Sequence, residues 1–174
     1  MKKPRSKILI GSREWCAFPD LGIGAVKAKV DSGAKTSSLH AFELEVFDRQ
    51  GEPWVRFEIH PLQKNQRVKR ITEAPVIDQR WVRSSSGEAE ERYVISSQLR
   101  MGGHSWPVEL TLTNRDSMGY RMLLGREAMR GRMLIDPDAA YLMGKISQAE
   151  LERLYSIRLT RRGRTKSARK PLAS

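Results

Sequence analysis

Apolar and polar residues alternate along much of this chain, and that pattern predicts a protein built mainly of β-strands. Over residues 26–30 valines and an alanine alternate with lysines, and the same two-residue period recurs over 42–47, 54–59 and 108–112. The side chains predicted to face the core are Val26, Ala28 and Val30; Phe42, Leu44 and Val46; Val55, Phe57 and Ile59; and Val108, Leu110 and Leu112. Several short strands of this kind predict a closed or a sandwiched β architecture, and the period alone leaves both open.

Turn-forming residues separate these strands and predict hairpins. The segment 48–51, Asp-Arg-Gln-Gly, joins the second and third alternating runs. The polar segment 84–88 lies between strand-like runs at 80–83 and 92–99, which predicts a second hairpin with an exposed tip. Residues 60–79 are polar and basic, and we expect a long irregular loop there.

Two helical segments interrupt the strand pattern. Ser147 and Glu150 have the spacing of a capping box, and the apolar residues that follow have helical spacing, which predicts a C-terminal helix. A short helical turn is expected over 127–130. The predicted division of the chain is a β domain over 1–145, a helix over 146–157 and a basic flexible tail over 158–174.

Composition and charge limit the cellular location and the kind of partner that we expect. The 174 residues include a single cysteine, Cys16, and no apolar run approaches the roughly 20 residues that cross a bilayer, so we expect a cytoplasmic protein without a membrane segment. The net charge is +12, and seven basic residues without an acid follow Tyr155. Such a tail favours contact with RNA or a ribosome, but a solvated arm is an equal alternative because no aromatic residue is interleaved for stacking.

The candidate chemistry lies where the first alternating strand ends. Asp31 places a carboxylate there, Ser32 can hold the loop by local hydrogen bonds, and Gly33 allows close approach of the backbone. Asp-Ser-Gly is also a common turn sequence, and alone it favours an ordinary turn. A second element, Leu-Leu-Gly-Arg at 123–126, follows much later in the chain.

This ordered pair of segments, with a hairpin between them, resembles the retropepsin-like aspartic peptidases. The closer resemblance is to a bacterial RimB-like family, also described as ATP-dependent zinc proteases and linked to RimK-type glutamate ligases. The motifs that carry it lie at 11–15, 27–41, 82–87, 113–115, 123–126 and 135–137. The resemblance implies an all-β fold, a retropepsin-like closed β-barrel with a flap hairpin and a short helix after Leu-Leu-Gly.

The resemblance also implies a mechanism that needs two carboxylates. Two acids about 3 Å apart share one proton, so one activates a water molecule and the other stabilises the developing oxyanion. The chain has one Asp-Ser-Gly, and the segment 116–119 is no second copy because no strand leads into it. The site therefore requires a homodimer in which each copy contributes Asp31 as the catalytic acid and base.

Further roles follow from the same resemblance. Support of the acid loop is expected from Ser32, Gly33 and Ala34; contact with substrate from Lys35, Thr36, Ser84, Ser85, Ser86 and Gly87; and closure of the barrel behind the acid loop from Leu123, Leu124, Gly125 and Arg126. Viral members commonly carry an acid at the position of Lys35, which pairs with the arginine after the glycine. Lys35 removes that partner from Arg126 and adds positive charge beside the cleft.

The substrates implied by the resemblance are acidic, such as the glutamate-rich tails that a RimK-type ligase adds to a ribosomal protein. A basic chain suits polyglutamylated substrates electrostatically. The alternative is a non-catalytic β-barrel that binds a ribosome or RNA through its positive charge.

The residues predict neither zinc nor ATP, and no other cofactor. The three histidines, His40, His60 and His104, are widely spaced, with Cys16 as a fourth candidate ligand. No phosphate-binding Gly-x-x-x-x-Gly-Lys-Ser/Thr motif is present in the sequence.

Overall fold

The computed structural model describes residues 6–114 and 119–159, and strands dominate in them. The strands are β1 (Ile8–Ile10), β2 (Arg13–Phe18), β3 (Ile23–Val30), β4 (Ser37–His40), β5 (Phe42–Arg49), β6 (Glu52–Ile59), β7 (Arg70–Pro75), β8 (Asp78–Arg83), β9 (Ala89–Met101), β10 (His104–Thr113), β11 (Met122–Leu124) and β12 (Met133–Ile135). The helices are α1 (Arg126–Met129) and α2 (Gln148–Tyr155), and a 3-10 helix covers Pro19–Leu21.

Six of the described strands close into a barrel. Their order is β10-β4-β11-β3-β2-β9, and β9 pairs back onto β10 in antiparallel register from Met101 opposite His104 to Val94 opposite Thr111. The first half of β9 also pairs with β8, which forms the second predicted hairpin. The expectation of an all-β closed barrel is confirmed, and of the two architectures left open by the alternation the barrel is the one present.

The short strand β11 lies between two strands that the chain connects directly. It pairs in parallel with β3, from Met122 opposite Ala28 to Leu124 opposite Val30, and in antiparallel register with β4. The connection from β3 to β4 therefore passes over the end of β11. We call this connection, residues 31–36, the acid loop.

A three-stranded sheet, β5-β6-β7, shares the main core with the barrel. The predicted turn at 48–51 joins β5 to β6, and the N–H of Gly51 donates to Asp48 Oδ1 at 3.0 Å. The expectation of an irregular loop over 60–79 is correct for 60–69 and wrong for the remainder, because β8 begins at Asp78 and 70–75 form β7 along β6. Main-chain pairing with β6 holds this strand, while its apolar Ile71 is 60% exposed.

A β-bulge interrupts the predicted alternation in β5. The register against β6 shifts between Phe42 and Glu45, and Glu43 has a φ of 51°. Because the side-chain period of a strand is two, one extra residue moves the following side chains to the other face. Val46 is consequently 44% exposed, and the prediction that it shares the buried face with Leu44 is wrong.

The buried apolar side chains form two clusters. The larger cluster fills the barrel and extends under the three-stranded sheet; its fully buried members include Phe18, Ile23, Leu39, Phe57, Ile59, Ile95, Leu99, Leu110, Leu112 and Met122. Each large side chain of this kind contributes about 1.5–3 kcal/mol on burial, so this cluster is the main source of stability. The smaller cluster, Ala25, Leu62, Val68 and Tyr155, lies between β3, the β6–β7 connection and α2.

The helix α2 is capped as predicted and is fixed to β3 by its last residue. Ser147 accepts the N–H of Glu150, and the Glu150 carboxylate accepts the N–H of Ser147. The Tyr155 hydroxyl accepts the N–H of Ala25 at 2.9 Å and donates to the carbonyl of Ala25. Burial raises the pKa of Tyr155, so this hydroxyl keeps the proton that it donates.

Within the described ranges, neither α-helix is long and apolar enough to cross a membrane. The division into 1–145, 146–157 and 158–174 stays a prediction. Most of the basic tail, from residue 160 onward, lies outside the described residues, as do Arg115 and the first residues of the 116–119 segment.

Candidate active site

Backbone groups fix the carboxylate of Asp31 at the start of the acid loop. The N–H groups of Gly33 and Ala34 donate to its Oδ1 at 3.0 and 3.2 Å. A Cβ on Gly33 would lie 3.2 Å from the same oxygen, so glycine allows the close approach of this N–H. Within the described residues no donor reaches Oδ2, which leaves this oxygen available to water or to a partner.

The segment that follows β11 holds the acid loop through the main chain. The N–H of Asp31 donates to the carbonyl of Leu124 at 2.9 Å, and the N–H of Arg126 donates to the carbonyl of Ala34 at 2.7 Å. The N–H of the next residue, Glu127, donates to the carbonyl of Lys35 at 3.0 Å. The structure thus brings the two motifs of the sequence together, with Leu124 fully buried behind the loop and Leu123 partly buried.

Gly125 is the point at which the two segments approach most closely. A Cβ there would lie 2.5 Å from the carbonyl carbon of Thr36 and 2.7 Å from the nitrogen of Ser37. Its N–H also donates to Ser37 Oγ at 3.0 Å. Any side chain would push the acid loop away from β11, which is the physical reason for glycine after Leu-Leu.

The side chain of Arg126 binds main-chain carbonyls in place of the missing acid. Its guanidinium donates to the carbonyl of Ser32 at 3.1 Å and to that of Gly33 at 3.5 Å. Lys35 lies 3.9 Å from the Glu127 carboxylate, and 73% of its side chain is exposed. An exposed pair of this kind contributes little to stability. Glu127 nevertheless offsets part of the positive charge that Lys35 brings to the acid loop.

The predicted flap tip is an ordered polar turn at the end of the β8–β9 hairpin. The N–H of Ser84 donates to the carbonyl of Glu88 at 2.8 Å, and the N–H of Gly87 donates to Ser84 at 2.9 Å. Gly87 has a φ of 87°, in the left-handed region that favours glycine. The Ser84 and Ser86 hydroxyls are 2.8 Å apart, and Ser85 is exposed. The described hydrogen bonds of these four residues stay within the hairpin.

A buried polar network joins the base of this hairpin to β4, and the sequence analysis did not identify it. Arg92 on β9 is 7% exposed and donates to Glu90 at 2.9 Å and to Ser38 Oγ at 3.2 Å. Thr113 donates to the same Glu90 oxygen at 3.0 Å, and Thr111 lies 3.0 Å from the Ser38 hydroxyl. A buried guanidinium is tolerated only when it is paired and hydrogen-bonded in this way. The sequence feature that could have indicated this network is the acid–base pair Glu90 and Arg92, two residues apart on one strand.

The candidate zinc ligands do not assemble into a metal site. The His40 ring is tilted against Phe42 and the His60 ring is stacked on it, at centroid distances of 4.4 and 4.3 Å, and His60 Nε2 is 2.6 Å from Glu58. Cys16 is buried in the larger cluster, where burial raises the pKa of its thiol and disfavours a metal-binding thiolate. Among residues 6–114 and 119–159, no three His, Cys, Asp or Glu side chains are grouped as a metal requires.

Proteins with related sequences carry the name of a ligase. A probable alpha-L-glutamate ligase of Shewanella halifaxensis is 56% identical over 153 residues, which is 88% of this chain and 33% of that protein. One of the same name from Parasynechococcus marenigrum is 56% identical over 158 residues, 90% of this chain and 34% of that protein. The chain therefore spans about a third of the length of these relatives.

Two comparisons bear on fold and family. A crystal structure of a protein of unknown function from Legionella pneumophila has a TM-score of 0.66 at 24% identity, covering 79% of this chain and 99% of that chain, which shows a shared fold. A family described as RimB-like, retropepsin-like aspartic endopeptidase RimB, matches residues 9–146. That range contains the acid loop, β11 and the β8–β9 hairpin. The chain belongs to the RimB-like family of retropepsin-like aspartic endopeptidases.

Proposed function

We propose that this chain is an aspartic endopeptidase that acts as a homodimer, with one Asp31 from each copy in a shared site. The observation that carries the proposal is the carboxylate of Asp31, whose Oδ1 accepts two backbone N–H groups while Oδ2 stays available. Peptide hydrolysis by carboxylates needs two acids that share a proton. A second copy related by a two-fold axis supplies the second acid.

In this dimer one Asp31 is ionised and the other is protonated. The ionised carboxylate takes a proton from a water molecule, and the water oxygen forms a bond to the carbonyl carbon of the scissile amide. The protonated carboxyl donates a hydrogen bond to the carbonyl oxygen and stabilises the charge that develops there. A proton then passes to the amide nitrogen as the C–N bond breaks.

We propose glutamate-rich tails as the substrates, including a tail that a RimK-type ligase adds to a ribosomal protein in the cytoplasm. The curated relatives support this because a region similar to this chain forms part of proteins named for glutamate ligation. The net charge of +12 supports it as well, since a cationic protein attracts acidic peptides and accelerates their encounter. Lys35, Thr36 and the tip residues Ser84–Gly87 are the proposed substrate contacts.

Replacing Asp31 with asparagine tests the proposal, with Asp138→Asn as an exposed control that changes the charge equally. We expect Asp31→Asn to slow cleavage of a glutamate-tailed peptide at least about a hundredfold, because it removes the acid–base group, while Asp138→Asn leaves the rate unchanged. Cleavage is followed by mass spectrometry and oligomeric state by light scattering.

Three results would contradict the proposal. A strictly monomeric protein that hydrolyses the peptide would remove the need for a second Asp31. Equal rates for Asp31→Asn and the wild-type protein would show that another group performs the chemistry. Absence of cleavage by the wild-type protein, together with salt-dependent RNA binding that is lost on removal of 158–174, would favour the non-catalytic ribosome or RNA binder.

A further inference from the structure

A cavity of about 550 Å³ lies apart from the acid loop, between the β6–β7 connection and the segment that follows α2. It is lined by three cations, Lys64, Arg67 and Arg158, by the amides Asn65 and Gln66, and by two apolar residues of the segment after α2. Its volume is within the range of ligand-binding clefts. None of its lining residues within 6–114 and 119–159 is an acid, so its chemistry suits a negatively charged ligand. We call it the cationic cleft.

Both walls of the cationic cleft are held by hydrogen bonds. The Asn65 side-chain oxygen accepts two N–H groups of its own turn, at 2.8 and 3.2 Å. On the other wall, the N–H of Leu159 donates to Glu152 at 2.8 Å, and the carbonyl of Leu159 accepts from Gln148 at 2.7 Å. These contacts fold the segment after α2 back along the helix. Arg158 is therefore presented from an ordered turn.

The three cations of the cleft have no ion-pair partner among the residues that the structure describes. The neighbouring Lys69 differs, because its ammonium lies 3.2 Å from Glu58. Lys64, Arg67 and Arg158 are exposed. Their charges are therefore available to a ligand, since no described acid pairs with them.

We propose that the cationic cleft binds glutamate side chains of an acidic peptide, as a second site for the tails whose cleavage is proposed above, and the inference rests on that function. Arginine guanidinium groups bind carboxylates with two parallel hydrogen bonds, and the Asn65 and Gln66 amides can donate as well. No aromatic ring is among the lining residues, so bases would find no surface for stacking. An acidic peptide therefore fits the cleft better than single-stranded RNA.

The cleft and the acid loop lie toward opposite ends of β3, which sets the length of peptide that can reach both. Tyr155, just before the cleft segment, is bonded to Ala25, and Asp31 follows at the far end of the strand. At about 3.3 Å per residue, this part of β3 spans roughly 20 Å. An extended peptide needs about six residues to cover that distance. An extended tail of four glutamates is shorter than this part of β3, whereas a tail of twelve is longer.

Binding of labelled tetraglutamate and dodecaglutamate to protein carrying Asp31→Asn, which prevents cleavage, tests the proposal. The test variant replaces the three cleft cations with glutamine. The matched control replaces three exposed cations elsewhere, Lys7, Arg100 and Lys145, so that the net charge changes equally. We expect dodecaglutamate to bind about tenfold more weakly to the test variant, from three exposed charge contacts, and to stay within about twofold for the control. Tetraglutamate can occupy only one site at a time, so we expect its affinity for the test variant to fall by a smaller factor than that of dodecaglutamate, with both measured by fluorescence anisotropy.

The proposal is overturned if both triple variants lose affinity equally, since net charge alone would then explain binding, or if neither loses affinity. It is also overturned if a twelve-residue oligouridine depends on the cleft cations more strongly than dodecaglutamate does. Because binding is measured without hydrolysis, the two proposals fail separately. Cleft-dependent binding without any cleavage by the wild-type protein refutes the peptidase, whereas Asp31-dependent cleavage with cleft-independent binding refutes the second site.

Discussion

Substituting alanine for Gly125 would test whether the acid loop depends on close packing against β11. The added Cβ would lie 2.5 Å from the carbonyl carbon of Thr36 and 2.7 Å from the nitrogen of Ser37. Both atoms belong to the backbone that enters β4, and Ser37 is 1% exposed. No flexible side chain can move aside, so the backbone of the acid loop has to shift.

The expected cost follows from these contacts. Overpacking of a well-packed site costs about 1–3 kcal/mol, and contact with fixed backbone places this substitution at the upper end, about 3 kcal/mol. A shift of the loop also weakens the hydrogen bond from the Gly125 N–H to Ser37 Oγ, worth about 1 kcal/mol. For a chain of this length, a total of about 3–4 kcal/mol lowers Tm by roughly 10 °C.

Urea and thermal unfolding measure this cost, and cleavage of a glutamate-tailed peptide reports the state of the loop. Gly103→Ala is the matched control, because a Cβ at Gly103 would meet nothing within 4 Å and its backbone is not left-handed. We expect the control to stay within about 0.5 kcal/mol of the wild-type protein. A Gly125→Ala protein with unchanged Tm and full cleavage would show that the acid loop does not need this close approach.

Two further predictions concern charged side chains. Arg126→Met removes the hydrogen bonds to two acid-loop carbonyls, so we expect cleavage to slow at least tenfold. Because the residue is exposed, the urea midpoint should change little. An unchanged kcat would show that the main chain alone holds the loop. Hydrogen bonds from His60 and Lys69 hold the pKa of Glu58 below its ordinary 4.5, so the stability that they give is present above that pH and is lost as pH falls through the lowered pKa. Glu58→Gln should therefore destabilise the protein at pH 7 and lose its effect as pH falls through the lowered pKa, measured by thermal unfolding, and a difference that is independent of pH would contradict this.

The alternation of apolar and polar residues predicted the strands that bury one face. It failed for strands that are buried on both faces or are held mainly by main-chain pairing. All four residues of β4, Ser-Ser-Leu-His, are buried because the strand lies in the barrel wall between β10 and β11, and both serine hydroxyls are hydrogen-bonded there. No contrast between two faces remains for a sequence pattern to reveal. In β7 the main-chain pairing with β6 dominates, and Ala74 is the residue that it buries. The bulge at Glu43 depends on tertiary packing, which a two-residue period does not encode.

The candidate site was predictable in its motifs but not in its side-chain contacts. Asp31 and Gly125 stand in linear motifs, and the close approach at residue 125 needs glycine. Arg126 binds carbonyl groups, which every residue carries, so the identity of its partner could not be read from the chain. Arg92 contacts Ser38 only through the register of distant strands, so the local spacing of Glu90 and Arg92 does not reveal this contact.

Because β11 pairs with β3, the acid loop around Asp31 can fold only after β11 has been synthesised. The contact from Arg126 to Ser32 joins residues 94 positions apart, and closure of so long a loop is slow and comes late in folding. A nascent chain that includes Asp31 but not yet β11 lacks the backbone that supports the acid loop. If the chain is the peptidase proposed above, its competence for hydrolysis is delayed until most of the domain has left the ribosome.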